Sequence, residues 1–342
     1  MMAVYRFVST ALCGIALSLL CTMAWAQDGE FYRGKTIELI ISSGVGDAVD
    51  TSARIVARHL PRFIPGQPNI VPKNMPGAGH VIAANYLYNR AAKDGTALGA
   101  LVSGFVLAQL LESTGVRFDA NKFEWLTSVT SSNSVIYVWH TSTVRTIHDA
   151  MERPVITGGT GAGSLSVIYP TVINKVLGTR FKLVTGYKDS ASLRLAMERD
   201  EIEARGGASL SSLRADSPDA LKEGKLIMLA QGGFERDPEF PDIPLLSELA
   251  TSDRQRGILR LLQADVFLGR PILTAPGVPP ERVALLRGAF ATLLTDPEFI
   301  NDQRQAGLDV QPTTGAKLQE TVAAIFATPP DLVAEFRKAV LP

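Results

Sequence analysis

Short β-branched runs alternate along this chain with longer stretches in which apolar residues recur every three or four positions. Thr36 to Ser42 reads as a buried strand, since a near-continuous apolar run of this length suits a strand covered on both faces. After a loop over 43–49, Ala53, Val56, Ala57 and Leu60 share one face of a helix, and Asp50 or Thr51 is its expected cap. Asn69 to Lys73 predicts a second strand and Val81 to Arg90 a second helix. The turn Lys93-Asp94-Gly95-Thr96 leads into a third strand at Leu98 to Val102. Alternation of this kind predicts a parallel sheet covered by helices.

The rhythm restarts downstream. Val135 to Trp139, Val155 to Thr157, Phe181 to Thr185, Ile202 to Arg205 and Leu226 to Ala230 read as strands. Leu165 to Val176 and Ala191 to Arg199 read as helices, with Pro170 either early in the first or bending it. Val266 to Thr274 is strand-like, interrupted by Pro271, and the tail from Pro280 is mostly helical. Two similar α/β halves without a flexible linker predict two lobes joined by crossings near 129–138 and 264–273. One lobe then comprises 27–130 plus 264–342 and the other 131–263. Ligands of such sheets sit beyond the carboxyl ends of strands, and clefts between domains are favoured.

The first residues change the picture of where the protein works. Arg6, an apolar run from Phe7 to Met23, and Ala24-Trp25-Ala26 form a secretory signal, so residues 1–26 are expected to be removed and the rest to be periplasmic. An uncleaved anchor is one alternative. A lipoprotein at Cys21 is another, which the bulky Leu20 disfavours. Cys13 and Cys21 both lie in this segment, leaving no cysteine in the mature chain. Lys+Arg and Asp+Glu each number 34, and losing Arg6 leaves a net charge near −1. That argues against a nucleic-acid face or a polybasic membrane contact and leaves small-molecule work.

Three loops carry the candidate chemistry. Ser42-Ser43-Gly44-Val45-Gly46-Asp47, Asn74-Met75-Pro76-Gly77-Ala78-Gly79 and Thr157 to Ser164 each hand a strand over to a helix start. Free amides and the positive end of the helix dipole make such places anion sites, although a tight turn needs the same residues. None fits the dinucleotide pattern, because Val49, Ile82 or Ser164 stands where a third glycine belongs. Gly29-x-x-x-x-Gly34-Lys35-Thr36 matches a P-loop literally but runs into a strand instead of a helix, so it is rejected. The chain shows no nucleophile elbow and no metal-type histidine spacing among His59, His80, His140 and His148. No catalytic residue, cofactor or metal is therefore assigned. His80 is either a ligand contact or an ordinary surface histidine.

Read in order, these stretches resemble the receptors of the tripartite tricarboxylate transporter family, the Bug-type receptors. The resemblance rests on Phe31 to Ile37, the N-x-P-G-A-G of Asn74 to Gly79, and Asp94-Gly95-Thr96. Further along it rests on Gly161 to Ser164, Thr185-Gly186-Tyr187, Ala275 to Pro279 and Asp296 to Phe299. It implies a two-lobed type II periplasmic binding fold with a ligand cleft between the lobes. The implied protein is a monomer that closes on a small carboxylate-bearing solute and passes it to membrane permease subunits. A sensor-feeding receptor and an exported enzyme on the same scaffold are the alternatives. The implied ligand contacts are Ser43, Gly44, Gly46, Asp47, Gly77, Ala78 and Gly79 in one lobe, and Thr160, Gly161, Gly163, Ser164, Tyr187, Arg205 and Ser209 in the other. The chain departs from the family pattern twice. Asp47 and Ala48 replace two glycines of the first loop, so Asp47 either caps the next helix or faces the cleft and pairs with a cationic, zwitterionic ligand. At Gly207 to Leu210 relatives carry bulky aromatics, and the small Ala208 leaves a roomier pocket.

Overall fold

A computed structural model of the chain describes residues 31–160 and 164–340, apart from the side chains of 215, 216, 265 and 266. The signal peptide expected over 1–26 lies outside the described residues. In chain order the first part runs β1 (Thr36–Ile41), α1 (Ala48–His59), β2 (Asn69–Asn74), α2 (Val81–Asn89), β3 (Ala97–Ala100), α3 (Gly104–Leu110) and β4 (Glu124–Ser128). The middle part begins β5 (Ser134–Trp139), α4 (Asp149–Glu152), β6 (Val155–Gly159), α5 (Leu165–Leu177) and β7 (Phe181–Thr185). It continues α6 (Ser190–Glu198), β8 (Ala204–Ser209), α7 (Leu210–Asp216), α8 (Pro218–Lys222) and β9 (Leu226–Gly232). The last part is α9 (Asp253–Leu268), β10 (Pro271–Thr274), α10 (Pro280–Leu293), α11 (Pro297–Gln305), β11 (Thr313–Thr314), α12 (Gly315–Phe326) and α13 (Pro330–Val340).

The strands form two mixed sheets, ordered β11-β4-β10-β3-β1-β2 and β7-β6-β8-β5-β9. The chain leaves the first sheet after β4 and returns to it at β10. β1 lies parallel to both β2 and β3, with Ile41 paired to Asn74 on one side and Ala100 on the other. That register gathers the carboxyl ends of the three strands. Ile37, Leu39, Ile40 and Ile41 are fully buried because both faces of β1 are covered. Burying each such side chain contributes about 1.5–3 kcal/mol. In the second sheet β6 is parallel to β7 and β8, pairing Gly159 with Thr185 and Gly158 with Arg205.

The structure corrects the reading of 266–274 as one strand. Residues 253–268 form a helix capped by Ser252, whose Oγ accepts from Gln255 N at 3.2 Å, and only Pro271–Thr274 pairs in the sheet. An apolar run does not by itself tell a buried helix end from a strand. Pro170 sits sixth in α5, which runs on through it. The helix packs close to β8 there, since a Cβ at Gly206 would stand 2.6 Å from Pro170 Cγ. Gly207 has φ +63°, and a Cβ there would lie 2.4 Å from Leu165 O. Only glycine lets the start of α5 approach β8 this closely.

Candidate functional site

At the carboxyl end of β1, Ser43 is buried while Gly44, Gly46 and Asp47 are exposed. Asp47 is the N-cap of α1. Its backbone is extended, and Oδ1 accepts from Val49 N at 2.8 Å and Asp50 N at 2.9 Å. The expected caps, Asp50 and Thr51, lie inside the helix, so the helix starts earlier than its apolar spacing indicated. Ser43 Oγ donates to the same Asp47 oxygen at 2.9 Å. Asp50 is buried, and its carboxylate accepts from Gly46 N (2.8 Å), Asn74 Nδ2 (2.8 Å) and Arg54 Nε (2.9 Å). Burial pushes the Asp50 carboxyl up. The bonds from Arg54, Gly46 and Asn74, together with the Arg54 charge, outweigh that and hold it below the usual carboxylate range. The amides of 46, 49 and 50 are thus taken by the protein's own carboxylates.

The second loop is bonded to the first. Asn74 Nδ2 also donates to Ser43 O at 3.0 Å, and His80 Nδ1 lies 3.0 Å from Ser42 O. A carbonyl can only accept, so Nδ1 carries the proton there. Gly77, Ala78, Gly79 and His80 have φ of 125°, 48°, 60° and 73°, a left-handed run that non-glycine residues such as Ala78 and His80 rarely enter. Gly77 is constrained further, because a Cβ would stand 2.7 Å from Ile82 Cδ1. Gly77, Ala78 and Gly79 are exposed, and α2 begins at His80 without a side-chain cap bond. Within this turn His80 N donates to Gly77 O at 3.0 Å and Val81 N to Ala78 O.

In the second sheet, Gly161 and Gly163 lie outside the described residues. Thr160 and Ser164 flank them, and Ser166 joins the two. Thr160 N donates to Ser166 Oγ at 3.1 Å, and Ser164 Oγ is 2.8 Å from the same atom. Ser166 is buried in the first turn of α5, and nothing in the sequence pattern distinguished it from a packing residue. Ser164 is the N-cap of α5 and makes no side-chain cap bond. The loop after β7 closes on this one, with Gly186 N donating to Thr160 O (3.3 Å) and Tyr187 N to Gly159 O (3.4 Å). Ser209 Oγ lies 2.9 Å from Ser211 Oγ, and Ser211 N donates to Ser132 Oγ at 3.0 Å, tying the end of β8 to the segment between the sheets. Arg205 Nη2 donates to Ser190 Oγ at 2.9 Å at the start of α6.

Cavities of about 560 Å³, between α9, α12 and α13, and about 770 Å³, beside α1 and β2, are lined by none of the candidate residues. Among the described residues His59, Asp296 and Glu298 come close enough to share a metal. Arg62 already bonds all three, with Nη2 at 2.8 Å from both His59 Nδ1 and Asp296 Oδ1 and Nη1 on Glu298, so a cation is in place there. No described helix is long and apolar enough to cross a membrane.

The family profile described as tripartite tricarboxylate transporter family receptor matches residues 52–327. A UPF0065 protein of Bordetella bronchiseptica is 28% identical over 320 residues, covering 90% of this chain and 88% of the relative. A TctC solute-binding protein from Polaromonas, solved without ligand, superposes with a TM-score of 0.70 at 19% identity, covering 90% of this chain and 99% of the other. An R. palustris protein solved with adipate superposes with a TM-score of 0.56 at 21% identity, covering 89% and 97%.

Proposed function

This chain belongs to the tripartite tricarboxylate transporter receptor family, and on that premise we propose that it captures a small carboxylate for membrane permease subunits. The family is one of periplasmic solute-binding proteins, and the fold is the mixed two-sheet fold of such proteins. The observation that carries the reading is the state of two helix starts. α2 and α5 both begin beside glycine-rich loops without a side-chain cap bond, at His80 and Ser164. Val81 N already donates to Ala78 O and Val167 N to Ser164 O, while the positive ends of the two dipoles suit an anion brought by a ligand. The adipate in the R. palustris relative is an anion of the expected class.

In this reading lobes 27–130 plus 264–342 and 131–263 close on one ligand, and export follows from the signal over 1–26. The ligand's carboxylate meets Gly77, Ala78 and Gly79 on one side and Thr160, Gly161, Gly163 and Ser164 on the other. Asp47 acts as a helix cap, so the ligand needs no cationic group. A thermal-shift screen of mono-, di- and tricarboxylates and amino acids tests this, because a ligand held by the folded state raises the melting temperature. A dicarboxylate is expected to give the largest rise. A rise with amino acids and none with carboxylates would overturn the proposal.

A further inference from the structure

The arginine on the second sheet is not explained by the loops. β8 is the central strand of that sheet, and its neighbours Ala204, Gly206, Gly207 and Ala208 are small and buried. A guanidinium projecting from such a strand is costly unless its donors are met. Arg205 Nη2 reaches Ser190 Oγ, but Nε is shielded from solvent and has no partner. A cavity of about 400 Å³ opens over this group, walled by Arg205, Arg194, Ser190, Ser212 and Ala208. The acid in its wall, Asp189, is turned away to cap α6, accepting from Ser192 N at 2.8 Å. Arg194 adds a second guanidinium, 3.6 Å from Glu198. Ala208 sits in the cavity wall, and a large side chain there would fill the space.

We propose that the cavity over Arg205 is a second anion-binding site, which takes a carboxylate or an inorganic oxyanion of similar size. The lining holds two guanidinium groups and the hydroxyl residues Tyr137, Ser190, Ser212 and Ser217, with Arg194 Nη1 3.5 Å from Ser217 Oγ, and no described carboxylate is bonded to Arg205. A planar or tetrahedral anion in this space would accept from the Arg205 guanidinium beside Ser190, in the fork geometry arginine offers. The bound anion would bridge the start of α6 to β8 and α7. The assignment does not depend on carboxylate capture by the glycine loops.

The test is calorimetry on the exported full protein, with inorganic phosphate and succinate as probes, each against chloride at constant ionic strength. Phosphate is expected to bind saturably. Arg205→Met and Ser212→Trp should each weaken it at least tenfold, while Ser164→Ala leaves it within twofold. Ser212 is exposed at the cavity wall, so its variant blocks the space without touching the core. If succinate alone binds, the site stands only where the same two variants weaken it tenfold and Ser164→Ala leaves it within twofold; weakening by all three variants would make Arg205 part of the primary carboxylate site and overturn a second one. Equal binding of both probes to wild type and both variants would overturn it, as would no saturable binding at millimolar concentration. Failure of Ser164→Ala to alter carboxylate capture would count against the glycine-loop reading alone.

Discussion

After β1, the first amides of α1 meet the carboxylate of Asp47. After β6, α5 begins at Ser164 with no side-chain cap bond. Both loops are built from glycine and serine between a parallel strand and a helix, so both start with the same amides and the same dipole. They differ by one acidic residue in the right backbone conformation. Where the acid is present, the anion site is filled from within and the loop becomes rigid structure. Where serine stands instead, the helix start has no side-chain cap bond. A strand–loop–helix junction therefore does not mark a ligand site by itself. The nearest carboxylate decides.

The strongest way to break the contrast is to remove the internal anion that holds the first loop. Asp50→Ala leaves Gly46 N and Asn74 Nδ2 without their acceptor, while the half-exposed Arg54 turns to solvent. A stability loss of about 3 kcal/mol is expected from denaturant unfolding. The Asp50 carboxyl is held below its ordinary value in the folded protein. Its contribution is therefore fully present above the unfolded pKa of about 3.9 and lost as pH falls through the folded value. Asp50→Asn should accordingly flatten the decline of stability below about pH 4, and an unchanged acid limb would show that the carboxylate is not held as described.

Ser164→Ala tests the proposed ligand contact at the start of α5. Losing one hydrogen bond to a charged ligand group costs about 2 kcal/mol, or roughly a thirtyfold weaker dissociation constant. Calorimetry reads it, and wild-type affinity would remove Ser164 from the site. The smallest expected change comes from Asp47→Ala, about 1 kcal/mol of stability from the lost cap. Its ligand readout sharpens the comparison more than its size suggests. If Asp47 is only a cap, Asp47→Asn leaves the ratio of affinities for an amino acid and its deaminated analogue unchanged. A selective loss for the amino-bearing ligand would place Asp47 in the cleft and make the ligand zwitterionic.

Much of the architecture was legible along the chain. The short β-branched apolar run at Thr36–Ile41 read as a covered strand, the period of Ala53, Val56 and Ala57 marked α1, and the glycine clusters marked three strand–helix junctions, because period and backbone freedom are local properties. Short elements with weak patterns, β4 at Glu124–Ser128 and α3 at Gly104–Leu110, were not anticipated. Nor was the division of 253–274 into a helix and a strand, which Gly269 and the pairing of β10 with β3 and β4 impose.

The sequence by itself determined the two α/β halves, the family, and which glycine-rich loops lead a strand into helix-start amides. It did not determine which of those amides are already taken. That depended on Asp47 entering an extended conformation, on Asn74 arriving from the next strand to hold Asp50, and on Ser166 turning back to join Thr160 and Ser164. It also depended on Arg205 emerging beside Ser190 on a strand of small residues. Hydrogen bonds depend on the meeting of specific atoms within a few tenths of an ångström. Asp50 and Asn74 are 24 positions apart and meet only because β1 and β2 pair in one register.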